Sequence, residues 1–217
     1  MNKKLKEKTK TKISVLLASL VVISVVTILI SNICSIKLFS LFGVVLPTSA
    51  LLFPISYILG DVLTEVYGYK TSRKVILIGF AANLFMVLFF QLSIILPCGP
   101  DWGLQNEYAT ILGTTPRMFI ASLSAYLLGS LSNAYTMELI KKITKGKYLW
   151  IRTIGSTIVG ELLDTLIFVF LAFYGTIDTS VLMVTIISQF TWKVSYEILA
   201  TPLTYFVINK VKKYELE

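Results

Sequence analysis

Apolar runs long enough to fill a bilayer recur along the chain, separated by short polar segments in which the charged residues gather. A helix rises about 1.5 Å per residue, so about 20 mainly apolar residues cross a hydrocarbon core of about 30 Å. Six stretches have that character, roughly 13–34, 44–60, 75–96, 117–140, 151–175 and 181–208. The second is short and carries Pro47 and Pro54. The longest polar interruption, 97–116, is punctuated by Pro97, Gly99, Pro100 and Pro116 and leaves no room for a soluble domain. The pattern predicts an all-α, polytopic membrane protein whose six transmembrane helices form one bundle over 13–208. A basic tail at 1–12 and a second tail at 209–217 flank it. The basic start and first apolar run also resemble the opening of a signal peptide, but nothing near Ser31–Ser35 reads as an A-x-A cleavage site. The run is therefore read as a first span that is kept.

Charge fixes the expected orientation. Seventeen of the 20 basic residues lie at 3–12, 70–74, 141–152 and 210–213, while 97–116 and 176–180 contain none. Basic residues are retained on the inner side of the bilayer, so alternate loops and both termini are expected in the cytoplasm of a multi-pass cell-membrane protein. The formal net charge of +8 is thus a sign of topology rather than of nucleic-acid binding.

Composition removes several chemistries. Only 15% of residues are charged against 55% apolar, and mean hydropathy is +0.78. With no His there is no Ser-His-Asp or Cys-His catalysis, no His-ligated metal and no His proton relay. Cys34 and Cys98 are too far apart for a CxxC motif. No GxxxxGK[ST] loop occurs, so transport would need an ion gradient, facilitation or a separate energising subunit. No cofactor is implied.

Ionisable groups inside spans are costly and point to function by default. Counted from Ile151, Glu161 and Asp164 lie roughly 15–20 Å deep, three residues apart on one helix face. Counted from Val181, Lys193 reaches a similar depth, with Gln189 and Glu197 one turn to either side. A structural salt bridge between spans five and six is one account. Three acids against one base favour the other, a binding or coupling site, because a surplus carboxylate must take a proton or a donor-bearing ligand. Asp61 and Glu65, four residues apart, are read either as a solvated helix end or, with Pro54 and Gly60 opening the backbone, as groups facing a cavity. Asn32 and Lys37, after span one, share the ambiguity between a solvated helix end and groups facing a cavity, Arg117 stands between anchor and ligand contact, and Asn133 between helix packing and site. Ala121, Ala125 and Gly129, with Gly155, Ser156 and Gly160, read as stripes for close helix packing.

The stretches SNICSIKLFSLFG (31–43), FPISYILGDVLTEVYGYK (53–70), RMFIASLSAYLLGSLSN (117–133) and LWIRTIGSTIVGELLDTLIF (149–168), with Lys193 in the last span, resemble the queuosine precursor transporter family, also described as a vitamin uptake transporter family. The resemblance implies import of a 7-deazaguanine (7-cyano- or 7-aminomethyl-7-deazaguanine, or queuine) for tRNA modification. Asn32, Asp61, Arg117, Ser122, Asp164 and Lys193 fall on matching positions, whereas Asn133 stands where some members have Asp. A guanine-like edge offers adjacent N–H donors and a carbonyl, so Glu161 or Asp164 could take the donors while Asn133 or Lys193 serves the carbonyl. Phe168 or Trp192 could stack on the ring. Glu65, Glu197 and Gln189 are candidates for coupling or gating: the surplus of acids is met either by a coupling proton, with one carboxylate alternately protonated, or by the positive charge of an aminomethyl substrate. A homo-oligomer remains open. So does a substrate-capture subunit working with a separate ATPase, although span one, ISVLLASLVVISVV, lacks an Ala-x-x-x-Ala. An intramembrane enzyme using Glu161 and Asp164 as acid and base is the reading from another class.

Overall fold

The computed structural model describes residues 14–41, 44–113 and 116–216. The basic tail expected at 1–12 lies outside them. The order of elements is α1 (Val15–Cys34), β1 (Leu38–Leu41), β2 (Val44–Pro47), a 3-10 turn (Thr48–Leu52), α2 (Phe53–Tyr67), α3 (Tyr69–Ile95), α4 (Gln105–Leu112), α5 (Pro116–Ile143), α6 (Leu149–Phe173) and α7 (Thr179–Leu216). Among the described residues, five stretches are long and apolar enough to cross a membrane: Val15–Cys34, Thr48–Tyr67, Tyr69–Ile95, Gln105–Ile143 and Leu149–Phe173. The sixth long helix, α7, has 38 residues and carries Lys193, Glu197 and an internal Pro202. Large apolar side chains such as Phe85 (71%) and Leu199 (79%) are exposed on the outside of the bundle, as suits a lipid-facing surface.

The second expected span is misplaced. Residues 44–47 pair antiparallel with 38–41 in a small hairpin, Leu38 opposite Pro47 and Leu41 opposite Val44. Helix α2 starts only at Phe53, with Pro54 in its first turn, where the missing N–H is harmless. It then runs unbroken through Gly60 and ends at Gly68, whose φ of 79° closes the helix. Asp61 and Glu65 therefore sit inside a continuous helix, so neither the solvated helix end nor the opened backbone holds. Residues 209–216, expected as a second tail, are a helical continuation of α7.

Helices α5 and α6 pack most intimately. A Cβ added to Gly129 would lie 2.7 Å from Asp164 Cβ, and one on Gly160 would lie 2.6 Å from Asn133 Cβ. These two glycines let antiparallel backbones meet closely, which is the role read from their small-residue stripes. Gly155 facing Ile140 extends the same register. At the end of the bundle rich in Lys and Arg, an apolar cluster of Leu20, Ile58, Val62, Leu63, Val75 and Ile208 joins α1, α2, α3 and α7. Towards the opposite end, Val169, Leu182 and Ile186 seal α6 against α7.

Candidate functional site

The antiparallel course of α6 and α7 brings the mid-helix charges together. Lys193 Nζ lies 2.9 Å from Glu161 and also donates to Asp164 Oδ2. The side chains are largely buried, with Lys193 and Glu161 each 14% exposed and Asp164 24%. From α2, the Tyr57 hydroxyl bonds the Glu161 carboxylate. Asp164 is pressed towards α5 by the Gly129 contact, and Asn133 lies one turn along α5, against Gly160. The Asn133 Oδ1 is buried with no hydrogen-bond partner among the described residues. The result is an interior cluster in which one ammonium group serves two carboxylates. A neutral ligand bearing N–H donors could occupy the unused acceptor capacity of such a cluster.

Asp61 and Glu197 are buried, 2% and 1% exposed. Glu197 feels the charge of Glu161, and Asp61 feels that of Glu197 ahead of Glu65. Glu65 belongs to a different assembly. Its carboxylate accepts from Arg152 at 3.0 Å and Lys212 at 2.6 Å, with Lys141 at 3.4 Å, and this ties α2 to α5, α6 and α7 at the basic end. Nearby, Glu215 accepts from Ser14 and Tyr67, which draws the starts and ends of α1, α2 and α7 into the same layer.

The other residues singled out in the sequence stand apart. Asn32 donates to Asn83 Oδ1 at 3.1 Å and to the Ile28 carbonyl, a bond between α1 and α3. Arg117 donates to the Leu171 carbonyl at 2.7 Å and to that of Tyr174, and so caps the C-terminal end of α6. Phe168 packs against the Val169 cluster with its ring edge-on to Phe173, 6.0 Å between centroids. Gln189 is half-buried one turn from Lys193 on α7. Trp192 is 38% exposed and neighbours Tyr196. A cavity of about 250 Å³ opens at the α6–α7 turn among Phe170, Tyr174, Ile177 and Met183, and none of the mid-helix charges lines it. Tyr57, whose signal is its four-residue spacing from Asp61, was not legible in the sequence, and Lys141 and Lys212 stood there only as markers of topology.

The family profile described as "Putative vitamin uptake transporter" matches residues 47–207. The chain belongs to this family. The matched region of this vitamin uptake transporter family member contains the 53–70, 117–133 and 149–168 stretches and Lys193, and leaves out 31–43. The chain is 29% identical over 177 residues to the "Probable queuosine precursor transporter" of Bacillus subtilis (strain 168), which spans 81% of this chain and 77% of that relative. There is no significant match among solved structures. Family and apolar helices together make the chain a multi-pass membrane transporter.

Proposed function

We propose that the chain imports a 7-deazaguanine precursor of queuosine, and that Glu161, Asp164 and Lys193 hold it. The observation carrying this reading is the buried cluster of one cation and two carboxylates in the interior of a transporter bundle. Glu161 or Asp164 accepts the adjacent N–H donors of the guanine-like edge, and the carboxylate so engaged gives up its share of Lys193. Lys193 then turns towards the ring carbonyl, with Asn133 as a second polar contact. The name of the B. subtilis relative supports the substrate class. The basic end, with Lys70, Lys141, Arg152 and Lys212, faces the cytoplasm, which puts the α6–α7 turn outside. A proton moving inward with the substrate supplies the driving force.

The test is queuosine in tRNA, measured in a bacterium lacking both deazaguanine synthesis and its own importer, after expression of this chain and supply of each precursor separately. Restoration by one compound identifies the substrate. Asp164→Asn, at normal membrane abundance, is expected to abolish it; retained queuosine would remove Asp164 from the site. A protonophore is expected to lower initial uptake, and unchanged rates would refute proton coupling.

A further inference from the structure

Tyr57, Asp61 and Glu65 stand four residues apart on one face of α2, and their surroundings alternate. Tyr57 meets Glu161 of the Lys193 cluster, and Glu65 meets three cations. Between them, Asp61 has an acid as its foremost charged neighbour, Glu197 of α7. Asp61 Oδ2 and both carboxylate oxygens of Glu197 are buried with no hydrogen-bond partner among the described residues.

The charged groups facing this pair are all committed elsewhere. On α7, Lys193 is held by Glu161 and Asp164. On α5, α6 and α7, Lys141, Arg152 and Lys212 converge on Glu65. On α2 and α6 the remaining neighbours are Glu65, Tyr57 and Glu161, which add negative charge or a hydroxyl. Helix α1 has no ionisable residue besides Cys34, and the ionisable groups of α3, Tyr69, Lys70, Arg73 and Lys74, lie in its first two turns. Removing one carboxylate from water costs several kcal/mol, and a second beside it adds repulsion, so two unpartnered acids here cannot both carry charge.

We propose that Asp61 and Glu197 form the proton-holding site of the transport cycle, distinct from the substrate-holding charges around Lys193. A proton from the outer side forms an O–H bond on one of the two carboxylates, and that bond breaks on the inner side. One proton enters per cycle and no electrons move. Glu161 links the two sites, because it touches Lys193 and Tyr57 while its charge acts on Glu197. Protonating the pair therefore removes a repelling charge from beside Glu161, which leaves that carboxylate free to serve the substrate donors. The inference rests on the transport reading above and adds where the coupling proton is held.

The experiment uses the full chain in proteoliposomes with labelled 7-aminomethyl-7-deazaguanine. Accumulation driven by an imposed pH gradient is compared with counterflow in the absence of a gradient. Glu197→Gln is expected to lower accumulation about tenfold or more while counterflow persists; Asp61→Asn is expected to lose accumulation likewise. Wild-type accumulation in both variants overturns the proposal. So does joint loss of accumulation and counterflow in Glu197→Gln protein that remains monodisperse. A substrate-independent readout runs in parallel: infrared difference spectra of the wild type on raising the pH, where a protonated-carboxyl band is expected to disappear and to be missing from the double variant Asp61→Asn with Glu197→Gln. If the wild type fails to carry the deazaguanine but shows this band, the substrate reading falls and the proton site stands. Absence of the band in the wild type, or its persistence in the double variant Asp61→Asn with Glu197→Gln, overturns the site whatever the substrate.

Discussion

Glu65 is the anion on which four helices converge, and neutralising it separates buried from surface electrostatics within one group. Glu65 and Arg152 are each 2% exposed and 3.0 Å apart. Neither is resolvated when the other is lost, so Glu65→Gln and Arg152→Gln are each expected to destabilise the fold by about 3–5 kcal/mol. Lys212 at 2.6 Å and Lys141 at 3.4 Å are closer to water, 39% and 34% exposed. Water and salt replace most of their contribution, so Lys212→Gln and Lys141→Gln should each cost only about 0.2–1 kcal/mol. Lys141 falls at the upper end, since it also donates to the Glu65 carbonyl at 2.8 Å. Unfolding of the purified protein in mixed micelles with a rising fraction of denaturing detergent measures all four. The double substitution Glu65→Gln with Arg152→Met removes both stranded charges and should recover a large part of the loss. A Lys212→Gln cost equal to that of Arg152→Gln, or a Glu65→Gln cost no larger than those of the two exposed lysines, would refute this division of the network.

Gly160→Ala places a Cβ 2.6 Å from Asn133 Cβ and 3.0 Å from the Gly129 carbonyl, so it should destabilise by about 1–3 kcal/mol, part of which Asn133→Gly relieves in a double-mutant cycle; a neutral Gly160→Ala would contradict the close α5–α6 approach. Asn83→Leu removes the partner of Asn32, and the coupling between Asn83→Leu and Asn32→Leu is expected to be about 0.6 kcal/mol, typical of interhelical hydrogen bonds in membranes; zero coupling would break the assignment. Arg117→Gln uncaps α6, lowering stability by about 0.3–1 kcal/mol with an unchanged KM for uptake, and a raised KM would return Arg117 to the substrate site.

The long helices were legible because bilayer thickness imposes a length on every apolar run, and a run of that length is hard to mistake. The second span shows where this stops. Hydropathy does not distinguish a strand from a helix over Val44–Pro47, so the apolar window was placed over 44–60 while the helix occupies Phe53–Tyr67. That shift alone determined how Asp61 and Glu65 were read. With the helix ending at 60 they lie at its solvated end; with it ending at Tyr67 they lie in the interior, 2% and 4% exposed.

The Lys193 cluster was legible for a different reason. Two consecutive antiparallel helices share one turn, so counting depth from each end places facing residues without knowledge of packing. No such count relates α2 to α6 or α7, and Tyr57 was lost among aromatic residues that a membrane protein places at its interfaces. Charge counting also misled on scale. The chain carries +8 overall, yet the basic residues that reach inward, Lys141, Arg152, Lys193 and Lys212, are all spent on Glu65, Glu161 and Asp164. Asp61 and Glu197 face an acidic interior in a basic protein. The basic residues at the bundle's end do nothing to offset this local deficit of cations, because low-dielectric surroundings make the nearest few charges decide.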